Sequence, residues 1–111
     1  MLNQLNAYRV MWIFVSFDLP TETKPQRRAA AEFRKNLLED GFTLFQYSVY
    51  VRQCASFDHA QNHIKRIQKI VPAEGKVAIL SITDKQFGEM KIFYGKEKKK
   101  IEPEYVQLEL F

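Results

Sequence analysis

The chain has a single cysteine, Cys54, so no internal disulfide can staple it. It also lacks a long apolar run. The longest, Val10 to Val15, is far shorter than the roughly 20 residues that cross a bilayer, so no membrane association is expected. Met1 to Arg9 carry neither the charged start nor the small-residue cleavage site of a secretory leader, and a cytoplasmic protein is the expectation. There are no internal repeats, no glycine-rich phosphate loop, no nucleophile triad at recognisable spacing and no zinc-ligand cluster. His59 and His63 stand four apart on the second helix, a spacing that metal-binding pairs use, but no HExxH surrounds them. They are expected to be surface or partly covered imidazoles, and Cys54 a small packed side chain.

What is present suits one folded domain. The chain has 111 residues, of which 46% are hydrophobic and 14% aromatic, enough for a real core. Its net charge is +4 and its pI about 9.2, a balance that favours acidic partners, nucleic acid first.

Val10 to Phe17 reads as a first strand, apolar on both faces until Ser16 and stopped by Leu19-Pro20. A helix follows. Thr23 and Gln26 fit a capping box, Pro25 sits in the first turn where its missing N–H is not needed, and Gly41 ends the helix. Ala29, Ala30, Phe33 and Leu37 form the expected core stripe, while Arg27, Arg28, Arg34 and Lys35 fall on another sector. Leu38, among these cations, suggests a partner contact. Phe42 to Gln53 reads as strand, with Phe45, Tyr47, Val49 and Val51 on one face and Leu44, Gln46, Ser48 and Tyr50 on the other. A second helix runs from about Phe57 to Val71 behind Ser56 as N-cap, with Ala60, Ile64, Ile67 and Val71 as its buried stripe. Strands are expected at Val77 to Thr83, Phe87 to Tyr94 and Tyr105 to Leu110, the last after a connector bearing Lys96, Lys98, Lys99 and Lys100.

With five strands and two helices, the chain suggests an α+β, ferredoxin-like βαββαβ sandwich with both helices on one face, to which an extra C-terminal strand is added. Residues 1–95 form the core domain and 96–111 the connector and final strand. The face without helices would carry Trp12, Phe14, Tyr50 or their neighbours, too apolar a patch to leave wet. Two copies packed through their sheets would cover it, so a homodimer is expected. The competing arrangement is a monomer whose tail folds over its own sheet.

Asp18 is the candidate for chemistry. It ends an apolar strand, where a carboxylate is half desolvated and half exposed. In a twofold dimer both copies could approach one axis, and with waters and a phosphate oxygen they suit Mg2+, or Mn2+ in its place. The plainer reading is that Asp18 organises the turn before Thr23. Arg27, Arg28, Arg34 and Lys35 would meet phosphates without reading sequence, with Arg52 and Lys91 extending that surface.

Phe17-Asp18-Leu19, the turn, and the basic helix opening with Arg27-Arg28 resemble the Cas-two family of CRISPR-associated proteins. So does Gly41-Phe42 followed by Phe45-Gln46-Tyr47-Ser48-Val49-Tyr50, the more specific half. Nearly all of the match lies between Met11 and Arg52, and the Leu19 to Lys24 turn with Trp12 resembles the branch beside type II loci. The resemblance implies a ferredoxin-like homodimer that bridges the Cas-one integrase and helps insert spacer DNA into the CRISPR array. It also implies a Mg2+-dependent endonuclease on duplex DNA or single-stranded RNA, with Asp18 as catalytic metal ligand and Arg27 or Arg28 as a phosphate contact. Phe17 stands where tyrosine is frequent in that family, and Ala29 near the second arginine of its usual pair. A ligand-sensing regulatory domain without nuclease activity is the alternative function.

Overall fold

A computed structural model of the chain describes residues 10–95. The strands are β1 (Met11–Asp18), β2 (Thr43–Gln46), β3 (Val49–Cys54) and β4 (Lys76–Thr83). The helices are α1 (Lys24–Glu39), α2 (Phe57–Ile70) and α3 (Asp84–Gly88). The strands form one sheet in the order β2-β3-β1-β4, and each neighbouring pair is antiparallel. That is the ferredoxin-like arrangement, with α1 and α2 as the crossovers that return the chain to the sheet.

Alternation along β1 divides the sheet into two faces. Ile13, Val15 and Phe17 point to the helix side and join Phe33, Leu37, Tyr50, Ala60 and Ile67 in the main core. Trp12 and Phe14 point the other way and meet Val51, Phe45, Ile82 and Phe87 in a second cluster. Tyr50, one of the aromatic residues expected on the face without helices, is buried on the helix side, where its ring stacks on Phe17 at 5.8 Å.

The start of α1 is as the sequence predicts. Thr23 Oγ1 accepts the Gln26 N–H at 3.2 Å, and Gln26 Oε1 accepts the Thr23 N–H at 3.0 Å. Gly41 (φ +89°) carries the chain out of the helix, its N–H donating to the Leu38 carbonyl and the Phe42 N–H to Leu37. Ala30, Phe33 and Leu37 are buried as expected, but Ala29 is exposed because the stripe is narrower than four positions. On α2 the buried positions are Ala60, His63 and Ile67, and Val71 lies just past the helix end and is exposed. The apolar pattern alone places His63 at the margin of that stripe; in the fold it is at the centre.

Two further expectations are corrected. Phe42 to Gln53 is not one strand: Tyr47 and Ser48 form a hairpin turn between β2 and β3, with Ser48 at φ 61°. Neither residue belongs to the Asn-Gly or Asp-Gly pairs that announce such turns, so the break is silent in the sequence. Phe87 to Tyr94 is not a strand either. Thr83 and Gln86 form a second capping box, with side-chain bonds of 3.1 and 2.9 Å, and this starts α3. The turn of α3 swings Phe87 flat onto Trp12, ring centroids 3.9 Å apart and 6° from parallel. The Trp12 Nε1–H donates to Asp84 Oδ1 at 2.7 Å. Part of the sheet face expected to need a second copy is therefore covered by the chain's own α3, and Trp12 is only 3% exposed. The same face still leaves Leu80 largely open. The expected strand over Tyr105 to Leu110 and the lysine-rich connector lie outside the described residues.

Candidate functional site

Asp18 closes β1 on the face opposite the two long helices, in line with Phe14 and Ser16, and is exposed. Three segments converge on it. The hairpin turn is tied to β1 by the Phe17 N–H, which donates to the Ser48 carbonyl at 3.1 Å. The turn before β4 passes directly beneath: a Cβ on Gly75 would sit 2.8 Å from the Asp18 carbonyl oxygen and 2.8 Å from Leu19 Cδ2. Across the ladder Asp18 is registered with Lys76. Among the described residues Asp18 makes no ion pair, and it belongs to no group of three or more carboxylate, histidine or cysteine side chains that could share an ion. One exposed carboxylate fits a hard oxygen-seeking ion as a single ligand only. The rest of the shell would be water, phosphate oxygen or a second copy of Asp18.

The basic residues of α1 stand on the other layer. Arg27 is engaged within the chain: its Nη1 donates to the carbonyls of Thr21 and Glu22, each at 3.0 Å, which pins the turn after Asp18. Arg28 and Arg34 are exposed, and Lys35 lies 3.9 Å from Glu39 in a loose surface pair. A single chain therefore does not bring Asp18 and the α1 cations onto one face. Arg52, expected to extend this surface, points instead into a half-buried polar cluster.

That cluster is not legible in the sequence. Asp40 at the end of α1, Arg52 and Cys54 on β3, and His59, His63 and Arg66 on α2 meet in it. The protons can be placed from the donors. The Ala55 N–H points at His59 Nδ1 (3.2 Å), so the His59 proton is on Nε2 and is directed at His63 Nε2, 3.1 Å away. Arg52 Nε–H donates to the same His63 Nε2 at 3.1 Å. The His63 proton is then on Nδ1 and donates to Asp40 Oδ2 at 2.7 Å. Arg66 Nη2 completes the set by donating to Asp40 Oδ1 at 2.9 Å; it also lies 2.9 Å from His63 Nδ1, which carries its proton in this arrangement and does not accept from it.

His63 is only 3% exposed. Burial pushes its pKa below the ordinary range, the hydrogen bond to Asp40 opposes this, and the Arg52 charge adds to the lowering. The unfolded chain takes up this proton near pH 6.5, the folded chain only at lower pH. Between those two values the unfolded state binds more protons, so stability falls as pH drops below about 6.5. Denaturant midpoints measured from about pH 7.5 to 5 in chelator-treated buffer should show this fall, and His63→Gln should flatten it. Equal slopes in the two proteins would remove His63 as its source.

The family description "CRISPR associated protein Cas2" matches residues 11–90. The chain belongs to the Cas2 family. A CRISPR-associated endoribonuclease Cas2 of Flavobacterium psychrophilum is 54% identical over 108 residues, covering 97% of this chain and 94% of that protein. One from Parvibaculum lavamentivorans is 52% identical over 101 residues, covering 91% of this chain and all (100%) of that protein. A solved structure described as the crystal structure of cas2 aligns with a TM-score of 0.54 at 20% identity. It covers 83% of this chain and 97% of that one, a likeness of fold.

The Cas2 resemblance rests on two separate stretches, and the fold explains why they go together. Phe17-Asp18-Leu19 ends β1, and Gln46-Tyr47-Ser48-Val49 is the hairpin that the Phe17 N–H grips. Tyr47, at the tip of that hairpin, is 93% exposed. The Phe17-Asp18-Leu19 and Gln46-Tyr47-Ser48-Val49 parts of the pattern thus meet at one end of the sheet, around Asp18, while Gly41-Phe42 lies beside Arg52 further back along it. Among the described residues no helix is long and apolar enough to cross a membrane.

Proposed function

We propose that the chain works in CRISPR adaptation as a homodimer that binds duplex DNA and joins the Cas-one integrase during spacer acquisition. In this reading it also cleaves RNA or DNA with Mg2+, or with Mn2+ in its place. The observation that carries the reading is Asp18. An exposed carboxylate with no ion-pair partner among the described residues stands at the end of the central strand, on the sheet face that a second copy would cover, within a chain of the Cas2 family. The relatives' names, which call them endoribonucleases, support the hydrolytic part.

Each part has a residue basis. Two copies meeting through the sheet face that bears Leu80 would double the Asp18 carboxylates and the α1 cations. A metal ion held there, when bound, would polarise a phosphodiester or supply an activated water. Arg28, Arg34 and Lys35 would take phosphates, and Arg27 would serve mainly by fixing the turn next to Asp18. Residues 1–95 form the working unit in this reading, and residues 96–111 dock on the integrase. The setting is the cytoplasm, where CRISPR arrays are found.

The test is a cleavage assay on short RNA and DNA with Mg2+, Mn2+ or chelator, run beside duplex-binding titrations at several salt concentrations. Cleavage that requires the ion, and binding that weakens steeply with salt, are expected. Each phosphate-neutralising arginine removed, as in an Arg28→Ala, Arg34→Ala protein, should flatten the log–log salt slope by about 0.9. A monomer that binds no duplex at low salt would end the reading.

A further inference from the structure

The polar cluster on the helix side offers a second metal site, remote in the fold from Asp18 and of different chemistry. Cys54, His59 and His63 each present a ligand atom, and the three atoms lie within 4.8 Å of one another. They come from two elements that the Ser56 N-cap holds together: β3 ends at Cys54, and α2 carries the histidines one turn apart. We propose that these three residues bind a zinc-class divalent ion, with Asp40 as the positioning residue that orients His63 from behind.

Several features of the geometry support this. The two imidazole Nε2 atoms face each other at 3.1 Å. Two nitrogen ligands on a tetrahedral ion with bonds of about 2.0–2.1 Å stand roughly 3.3 Å apart, so the histidines are already at coordination spacing. Asp40 Oδ2 holds the His63 Nδ1–H at 2.7 Å, which directs the Nε2 lone pair towards the site, as carboxylates do behind zinc-bound histidines. That lone pair now faces three N–H groups, from His59 and Arg52 at 3.1 Å and from Arg66 at 3.4 Å. One in-plane lone pair cannot satisfy all three, and an ion in place of the His59 proton relieves the crowding. The donor set of one sulfur and two nitrogens selects a borderline ion such as Zn2+ or Co2+ over Mg2+, which seeks oxygen. A fourth ligand would be water.

Binding has identifiable costs. The Cys54 thiol gives its proton to solvent as the thiolate–metal bond forms. The His59 proton moves to Nδ1, which breaks the hydrogen bond from the Ala55 N–H. Arg52 must swing away from His63. Its guanidinium lies against Gly41, where a Cβ would collide with it, and Arg52 is only half-buried, so the side chain has a route outward.

The test uses the untagged full chain, stripped with chelator, reduced and kept free of oxygen, and titrated with Co2+. One ion per chain should bind, with a thiolate-to-cobalt charge-transfer band that Zn2+ then bleaches. Cys54→Ser should remove that band, and His59→Gln should weaken binding by at least about 10-fold. Asp40→Asn should weaken it by about 10–100-fold. Arg52→Gln should tighten it, because the competing donor is gone. Asp18→Asn should leave the thiolate-to-cobalt band and its saturation unchanged, because any Co2+ held at Asp18 has no thiolate ligand, which separates this site from the one proposed for hydrolysis. Circular dichroism checks that each variant is folded; if Cys54→Ser is not, the His59, Asp40 and Arg52 variants decide. No band in the wild-type chain, a band that survives Cys54→Ser, or one abolished by Asp18→Asn would overturn the proposal.

Discussion

Asp18→Asn should leave the protein folded and lower its metal-dependent cleavage by about 100-fold or more, the least that an essential polarising or proton-transferring group contributes. The change keeps the size and shape of the side chain and removes only its charge. Asp18 is exposed and makes no ion pair among the described residues, so nothing in the fold depends on that charge. Melting should move little, since surface changes of this kind stay within about 0.5 kcal/mol. A hard cation at the proposed site, by contrast, loses the carboxylate that Asp18 supplies from each chain, and neither Mg2+ nor Mn2+ can be held by a neutral amide as it is by an anion. Duplex binding at low salt should survive, because the cations proposed to meet phosphate are on α1. Undiminished cleavage in the folded variant would place the chemistry at another residue.

Gly75→Ala should destabilise the chain by about 2–5 kcal/mol, from two sources of strain. The backbone at Gly75 has φ +97°, a conformation that costs an L residue about 1–2 kcal/mol. The new methyl would also lie 2.8 Å from the Asp18 carbonyl oxygen, 2.8 Å from Leu19 Cδ2 and 3.0 Å from Pro20 Cδ. The first of these is backbone in the central strand and cannot turn aside, so overpacking adds about 1–3 kcal/mol. Denaturant midpoints should fall with an unchanged slope. Because relief of the clash moves the end of β1, cleavage should fall as well at temperatures where the variant is still folded. Gly88→Ala is the control: nothing lies within 4 Å of its added methyl, and stability should hold or rise slightly. A Gly75→Ala protein as stable as wild type would show that the two segments are not as closely packed as described.

Local signals place much of this fold before any tertiary packing is considered. The apolar run of β1, the Thr23/Gln26 capping box, Gly41 at the end of α1 and the Ser56 cap of α2 all lie within a few residues of what they specify, and all are found where expected. The same kind of signal stands at Thr83 and Gln86, where the aromatic, β-prone residues that follow it outweigh it in the sequence pattern. The two-part family pattern also needs no structure to be seen.

The sequence by itself determined β1, α1, α2 and β4, the likeness to Cas2 and Asp18 as the residue to test. Only the tertiary structure decided that the hairpin turn and the end of β1 share one corner, that α3 covers Trp12, and that Cys54, His59 and His63 converge beside Asp40. The reason is physical: capping and periodicity act over one or two turns of chain. The pairing of Phe17 with Ser48, or of His63 with Asp40, is set by the register of a sheet and the seating of a helix on it, which no local pattern encodes.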